Sequence, residues 1–145
     1  MNDSTSKEQT LSLNFAAAWN RLERRLDSSL GSIRGVSLAE YRLLRALADT
    51  PNSQASRVDL AQAVGLTPSG VTRALRPMEK LGIVSTLKSK RDARLALAAL
   101  TPAGRELVDD ASGVVDDTMK ALLQRSPKTA ARLDEIIELL EDFGR

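Results

Sequence analysis

The stretch TPSGVTRALRPMEKLG, Thr67 to Gly82, carries its own start and stop signals. A threonine hydroxyl can accept a hydrogen bond from a free N–H of the first helical turn, proline suits the next position, and glycine takes the left-handed conformation that closes a helix. Thr67, Pro68 and Gly82 therefore predict a helix between them. Val71, Leu75, Met78 and Leu81 recur at three-to-four spacing and predict its buried stripe, while Ser69, Thr72, Arg73, Arg76 and Lys80 fall on the opposite face. That polar face has the hydroxyls and guanidinium groups that contact phosphates and base edges. Pro77 lies within the helix, where it deletes one backbone hydrogen bond, so a bend after Arg73 is expected.

On the N-terminal side, Ser56 with Asp59 three residues later marks another helix start, with Val58, Ala61 and Val64 as a narrow buried side. Gly65 closes that helix about two turns on, and Thr67-Pro68 opens the next. Two short helices joined by a tight glycine-containing turn make a helix-turn-helix, whose second helix enters the DNA major groove. The pattern also occurs in proteins that bind no nucleic acid, and the next segment tilts the reading. Ile83–Lys88 and Leu95–Thr101 read as strands, the second alternating Leu and Ala over 95–98 as a half-buried strand does. Between them Ser89 to Arg94 forms a polar, basic hairpin tip. A basic hairpin directly after a recognition helix is a wing, able to lay Lys or Arg along phosphates or into the minor groove.

The flanks read as long helices. Phe15, Trp19, Leu22, Leu26 and Leu30 share one stripe from about Leu13 to Leu30, and Gly31 and Gly35 bracket a loop. Ser37 and Glu40 form a capping box ahead of Tyr41, Leu44 and Leu47, so a helix starts at about Leu38 and ends near Asp49, before the turn cluster Thr50-Pro51-Asn52-Ser53. Thr101-Pro102 opens a helix striped by Leu107, Ala111, Val114, Thr118 and Leu122. Ser126-Pro127 opens the last, with Ala130, Leu133, Ile137 and Leu140 at helical spacing and Ile136 and Phe143 widening the face. The three long helices, one at the front and two at the back, carry more apolar surface than a small winged helix needs. A two-fold dimer would bury it and set two recognition helices about 34 Å apart on one face of DNA.

Composition narrows the function. At 145 residues the chain fits one domain, and no apolar run approaches the ~20 residues of a membrane-spanning helix. The opening MNDSTSKEQT lacks the apolar stretch of a secretory signal, which makes a cytoplasmic location the expectation. Cysteine and histidine are both absent, removing disulfides, thiol switches, the commonest zinc ligands and the usual near-neutral acid-base group. No enzyme activity and no cofactor are expected. The net charge of +2 conceals an asymmetry: residues 57–101 carry eight Lys/Arg against three Asp/Glu, residues 102–145 six against ten. A basic middle beside an acidic flank suits a polyanion-binding unit on a scaffold that faces away.

In order and in residues these pieces resemble the MarR family of bacterial transcription regulators, dimeric winged-helix proteins. The likeness rests on VDLAQAVGLTPSGVTRALRPMEKLGIV (58–84), the wing KRDAR with Asp92 and Arg94 in a D-x-R pattern, and LTPAGREL (100–107), and it extends over about Phe15 to Phe143. The resemblance implies a triangular dimer built by the terminal helices, a wing arginine at Arg94 reaching the minor groove, and an Asp92 that orients the wing. It also implies that many relatives are repressors released by small aromatic acids or other phenolic compounds bound between the dimer helices and the DNA-binding lobe. The absence of cysteine rules out the thiol-oxidation switch of some relatives.

The expected fold is mainly α with a small β-hairpin wing. Residues 1–145 form one domain, with 1–10 disordered, 38–101 the winged helix-turn-helix lobe, and 11–35 and 102–145 the dimerisation helices. The expected function is a homodimeric, sequence-specific DNA-binding regulator, a repressor released by a small ligand, that binds a pseudo-palindromic operator and no membrane. Candidate DNA contacts are Thr67, Ser69, Gly70, Thr72, Arg73 and Arg76 on the recognition helix and Lys88, Lys90, Arg91, Asp92 and Arg94 on the wing. Ser69 and Thr72 compete with a capping role, and Arg94 with a salt bridge to Asp92. Trp19 and Tyr41 are candidates for an effector pocket, against a plain core role. Asp109, Asp110, Asp116 and Asp117 read as solvated charge rather than a metal site. The competing reading is a winged helix that binds an acidic protein partner and selects no DNA sequence.

Overall fold

The computed structural model describes residues 4–145. Its elements run α1 (Lys7–Arg34), α2 (Leu38–Ala48), a 3-10 turn (Pro51–Ser53), β1 (Gln54–Ser56), α3 (Arg57–Val64), α4 (Pro68–Lys80), β2 (Val84–Lys88), β3 (Ala96–Leu100), α5 (Pro102–Gln124), α6 (Pro127–Ala130) and α7 (Leu133–Asp142). The helices form the body, and the strands form one antiparallel sheet in the order β1-β3-β2. This is a mainly α winged helix with flanking long helices.

Local signals set most of the boundaries. Ser37 and Glu40 make a complete capping box, and Ser56, Thr67 and Thr101 each accept a hydrogen bond from the N–H three residues on. Gly35, Gly65 and Gly82 close helices with positive φ of 67°, 72° and 74°. Of the disorder expected over residues 1–10, positions 1–3 lie outside the described residues, and the expectation fails for 7–10. Ser6 caps α1 by accepting from the Gln9 N–H, and the helix runs on through Gly31, expected in a loop, to Gly35.

The core has two connected parts. One fills the lobe with Leu43, Leu44, Leu47, Leu60, Val71, Leu75, Met78, Val84, Ala98, Leu107 and Val108; the other joins α1, α2 and α5 through Leu26, Leu30, Leu38 and Ala111. Tyr41 packs against both, and its hydroxyl lies 2.9 Å from Ser112 Oγ on α5. Burial on this scale is what drives folding, at roughly 25 cal/mol per Å² of apolar surface.

Several expectations are corrected here. On α3 the buried residues are Leu60 and Ala61, and Val58 is 52% exposed, because α3 turns the Leu60 side toward the core it shares with α4. Leu81 is 73% exposed: α4 ends at Lys80, so Leu81 has left the stripe. The strands are each a residue or more shorter than expected. Burial of β3 concentrates in adjacent Ala98 and Ala99, since the strand is paired on both edges and covered on two sides, while Leu95 stays exposed. β1 was not anticipated; its three residues pair Gln54 with Ala99, Ala55 with Ala98 and Ser56 with Leu97. The last helix is divided into α6 and α7, and Ser126 makes no side-chain cap.

Candidate nucleic-acid interface

On α4 the apolar stripe is sunk completely, with Val71 and Leu75 at 0% exposure and Met78 at 2%. Anchoring one face this firmly fixes the other. Ser69, Arg73, Arg76 and Lys80 are exposed, and among the described residues Arg73 and Arg76 make neither an ion pair nor a side-chain hydrogen bond. Two hydroxyls near the helix start, those of Thr67 and Thr72, are engaged within the helix. Thr67 Oγ1 accepts from the Gly70 N–H at 3.0 Å, and Thr72 Oγ1 donates to the Pro68 carbonyl at 3.1 Å. Gly70 sits so close to the cap that a Cβ there would lie 3.2 Å from Thr67 Oγ1.

Pro77 does not break α4. The helix continues to Lys80, and the Leu81 N–H still donates to the Pro77 carbonyl at 3.2 Å. Pro77 and Arg73 are both exposed, and Pro77 has no N–H to donate to the Arg73 carbonyl one turn back.

The wing tip is ordered by local hydrogen bonds. Ser89 Oγ accepts from the Arg91 and Asp92 N–H groups at 3.2 and 3.3 Å, and backbone bonds Ser89 N–H to Leu95 and Leu95 N–H to Asp92 close the loop. Ser89 was not among the sequence candidates. An S-x-x-D segment in a turn was the available signal. Asp92 accepts from Arg94 three times, from its backbone N–H at 3.0 Å and its Nε and Nη2 at 3.1 and 3.3 Å. The Arg94 side-chain and backbone hydrogen bonds hold the Asp92 carboxyl below its ordinary value of 3.8. The Arg94 side chain is nevertheless 91% exposed. Pairing and outward presentation thus coexist. Lys88, Lys90 and Arg91 are exposed beside it.

The root of the wing is clamped to the exit of α4. Thr101 Oγ1 lies 2.6 Å from the Gly82 carbonyl and 2.9 Å from that of Ile83, to either of which it can donate, and its N–H donates to Ile83. Gly104, in the first turn of α5, lies so close that a Cβ would overlap the Ile83 carbonyl. The spacing Thr101-Pro102-Ala103-Gly104 therefore serves a close approach.

Trp19 and Tyr41 are not brought together. Trp19, 41% exposed, lines an apolar cleft with Leu11, Phe15 and Phe143, whereas Tyr41 stands at the junction of α2 and α5. Phe15 and Phe143 stack with ring centroids 5.5 Å apart. Asp110 pairs with Arg34 at 2.9 Å. No described helix is long and apolar enough to cross a membrane.

Comparison with known proteins gives a consistent answer. The sequence profile of the MarR family matches residues 34–95. An uncharacterized HTH-type transcriptional regulator, YdgJ, of Bacillus subtilis is 30% identical over 99 residues, 68% of this chain and 59% of that protein, so the match spans less than two thirds of it. The homoprotocatechuate degradative operon repressor of Escherichia coli is 28% identical over 104 residues, 72% of this chain and 68% of the repressor. Among solved structures, Sco3205, a MarR family transcriptional regulator from Streptomyces coelicolor in complex with DNA, superposes with a TM-score of 0.79 at 27% identity, covering 95% of this chain and 89% of that one. The span matched by the profile contains every residue from Thr67 to Arg94 that the geometry gathers on α4 and the wing.

Proposed function

We propose that the chain is a MarR-family winged-helix transcription regulator, a homodimeric, cytoplasmic repressor that binds a specific pseudo-palindromic operator. The observation that carries the reading is the pairing of two exposed cationic elements on one lobe: Arg73 and Arg76, free of ion pairs among the described residues, and a wing whose Arg94 is held by Asp92 yet 91% exposed. In this reading α4 enters the major groove, Arg73 and Arg76 reach base edges or phosphates, and Arg94 enters the flanking minor groove. Ser69, Thr72, Lys88, Lys90 and Arg91 add contacts to the backbone, and much of the affinity is the salt-dependent phosphate contribution.

Dimerisation is supported by apolar residues that the single chain leaves open on its terminal helices: Phe15 and Trp19 on α1, Ile137 and Leu140 on α7, and Phe143 beyond it. Release by a small aromatic ligand is part of the proposal, because one relative is named as the repressor of an operon for degrading homoprotocatechuate. Of the two pocket candidates, Tyr41 suits such a ligand better, since it stands where the lobe meets α5.

Selecting bound fragments from the source genome with the full chain tests the function. The expected result is enrichment of a pseudo-palindrome with half-sites about one helical turn apart. Capture of fragments without any shared sequence would favour the protein-interaction reading.

A further inference from the structure

Two of the three acidic residues in the basic segment 57–101 are Asp92, which organises the wing tip, and Glu79, which lies one turn beyond Arg76 on α4. A carboxylate on a surface that approaches DNA opposes binding electrostatically. What Glu79 contributes must therefore be sought in geometry. Its Oε1 accepts from Thr86 Oγ1 at 2.6 Å and from Arg57 Nη2 at 3.3 Å, and Arg57 Nη2 also lies 3.3 Å from Thr86 Oγ1. Arg57 opens α3, Glu79 sits in the last turn of α4, and Thr86 is the middle residue of β2, the strand that leads to the wing.

One carboxylate oxygen thus joins three elements of the DNA-reading lobe, α3, α4 and β2. The Arg57–Glu79 pair is half-sheltered, with side-chain exposures of 22% for Arg57 and 33% for Glu79, and Thr86 closes the junction on its exposed side. Thr86 is its only neutral member, and its hydroxyl donates to one partner while accepting from the other. Arg57 Nη1 is buried without a partner among the described residues. Leaving a buried donor unmet is a poor way to maximise stability, but three converging side chains do fix an angle.

We propose that Glu79, Thr86 and Arg57 are positioning residues that set the angle between the recognition helix and the wing, so that α4 and Arg94 engage the same operator at once. The inference rests on the DNA-reading role proposed above, and its test includes a measurement made without DNA. Amide hydrogen exchange on the full chain should show faster opening of residues 85–95 in Thr86→Val and Glu79→Ala, wild-type protection in Thr86→Ser, and unchanged protection of α5. Unchanged exchange at 85–95 in both disruptive variants would overturn the inference whatever the DNA result.

The second measurement is the dissociation constant on the selected operator and on an unrelated duplex. Thr86→Val and Glu79→Ala should weaken operator binding about tenfold, with unrelated DNA bound as well as before or better, and Thr86→Ser should bind as wild type. Tighter binding of Glu79→Ala to both duplexes would mean that the carboxylate acts only by charge. A lower melting temperature with an unchanged ratio between the two duplexes would mean that it acts only on stability. Either result rejects the positioning role. Failure of the wild-type protein to prefer any sequence would instead count against the proposed function, and the exchange measurement would still decide whether the junction holds the wing.

Discussion

The stripe on α4 and the stripe on α7 look alike in the sequence, and the fold treats them oppositely. Val71, Leu75 and Met78 are 0, 0 and 2% exposed, whereas Ile137, Leu140 and the following Phe143 are 46, 49 and 63% exposed. The first stripe finds its partners in α2, α3, α5 and the sheet; the second finds little beyond the stack of Phe143 on Phe15. Helical periodicity states that a face needs cover without saying which chain supplies it. α1 contains both cases in one helix, with Leu26 and Leu30 at 4 and 0% exposure and Phe15 and Trp19 at 42 and 41%. A lobe that is complete within one chain, carried on helices that are not, is the organisation expected of a dimeric DNA reader.

The contrast can be broken most forcefully at Leu75. Leu75→Ala should cost the lobe ~2–5 kcal/mol in thermal or denaturant unfolding, because it empties a fully buried site. Leu140→Ala should change lobe stability by less than ~0.5 kcal/mol while shifting the proposed dimer toward monomer in sedimentation equilibrium. Equal effects of the two would erase the distinction. Gly104→Ala should come next, at ~1–3 kcal/mol, since its Cβ must push the start of α5 away from Ile83. The smallest effect belongs to the wing tip. Arg94 lowers the pKa of Asp92, so the folded wing holds the charged carboxylate more firmly than the unfolded chain does. That stabilisation is present above pH 3.8 and is lost as pH falls through the lower folded value. The carboxyl carbon shift of Asp92 should therefore titrate with a midpoint below 3.8, and a midpoint at or above it would contradict the geometry.

What the sequence discloses is what neighbours three or four residues apart decide. The caps at Ser37, Ser56, Thr67 and Thr101 and the closing glycines 65 and 82 were legible because each partner lies within one turn. β1 was not, since Gln54–Ser56 is a strand only by pairing with residues more than forty positions away. The buried side of α3 was misread for a similar reason: both Val58 and Leu60 are apolar, and only packing against α4 chooses between them. Among the candidate DNA contacts, the exposure of Arg73, Arg76 and Arg94 follows from the helix stripe and the hairpin, but the Arg57, Glu79 and Thr86 junction joins three elements and has no local signature.

The most direct test of the account compares operator and unrelated DNA in the same buffer for wild type, Arg73→Ala and Arg76→Ala. Loss of ~1–3 kcal/mol on the operator, with a much smaller loss on unrelated DNA, is the result predicted for α4 as the element that reads sequence. Equal losses on both duplexes, or none on either, would contradict it.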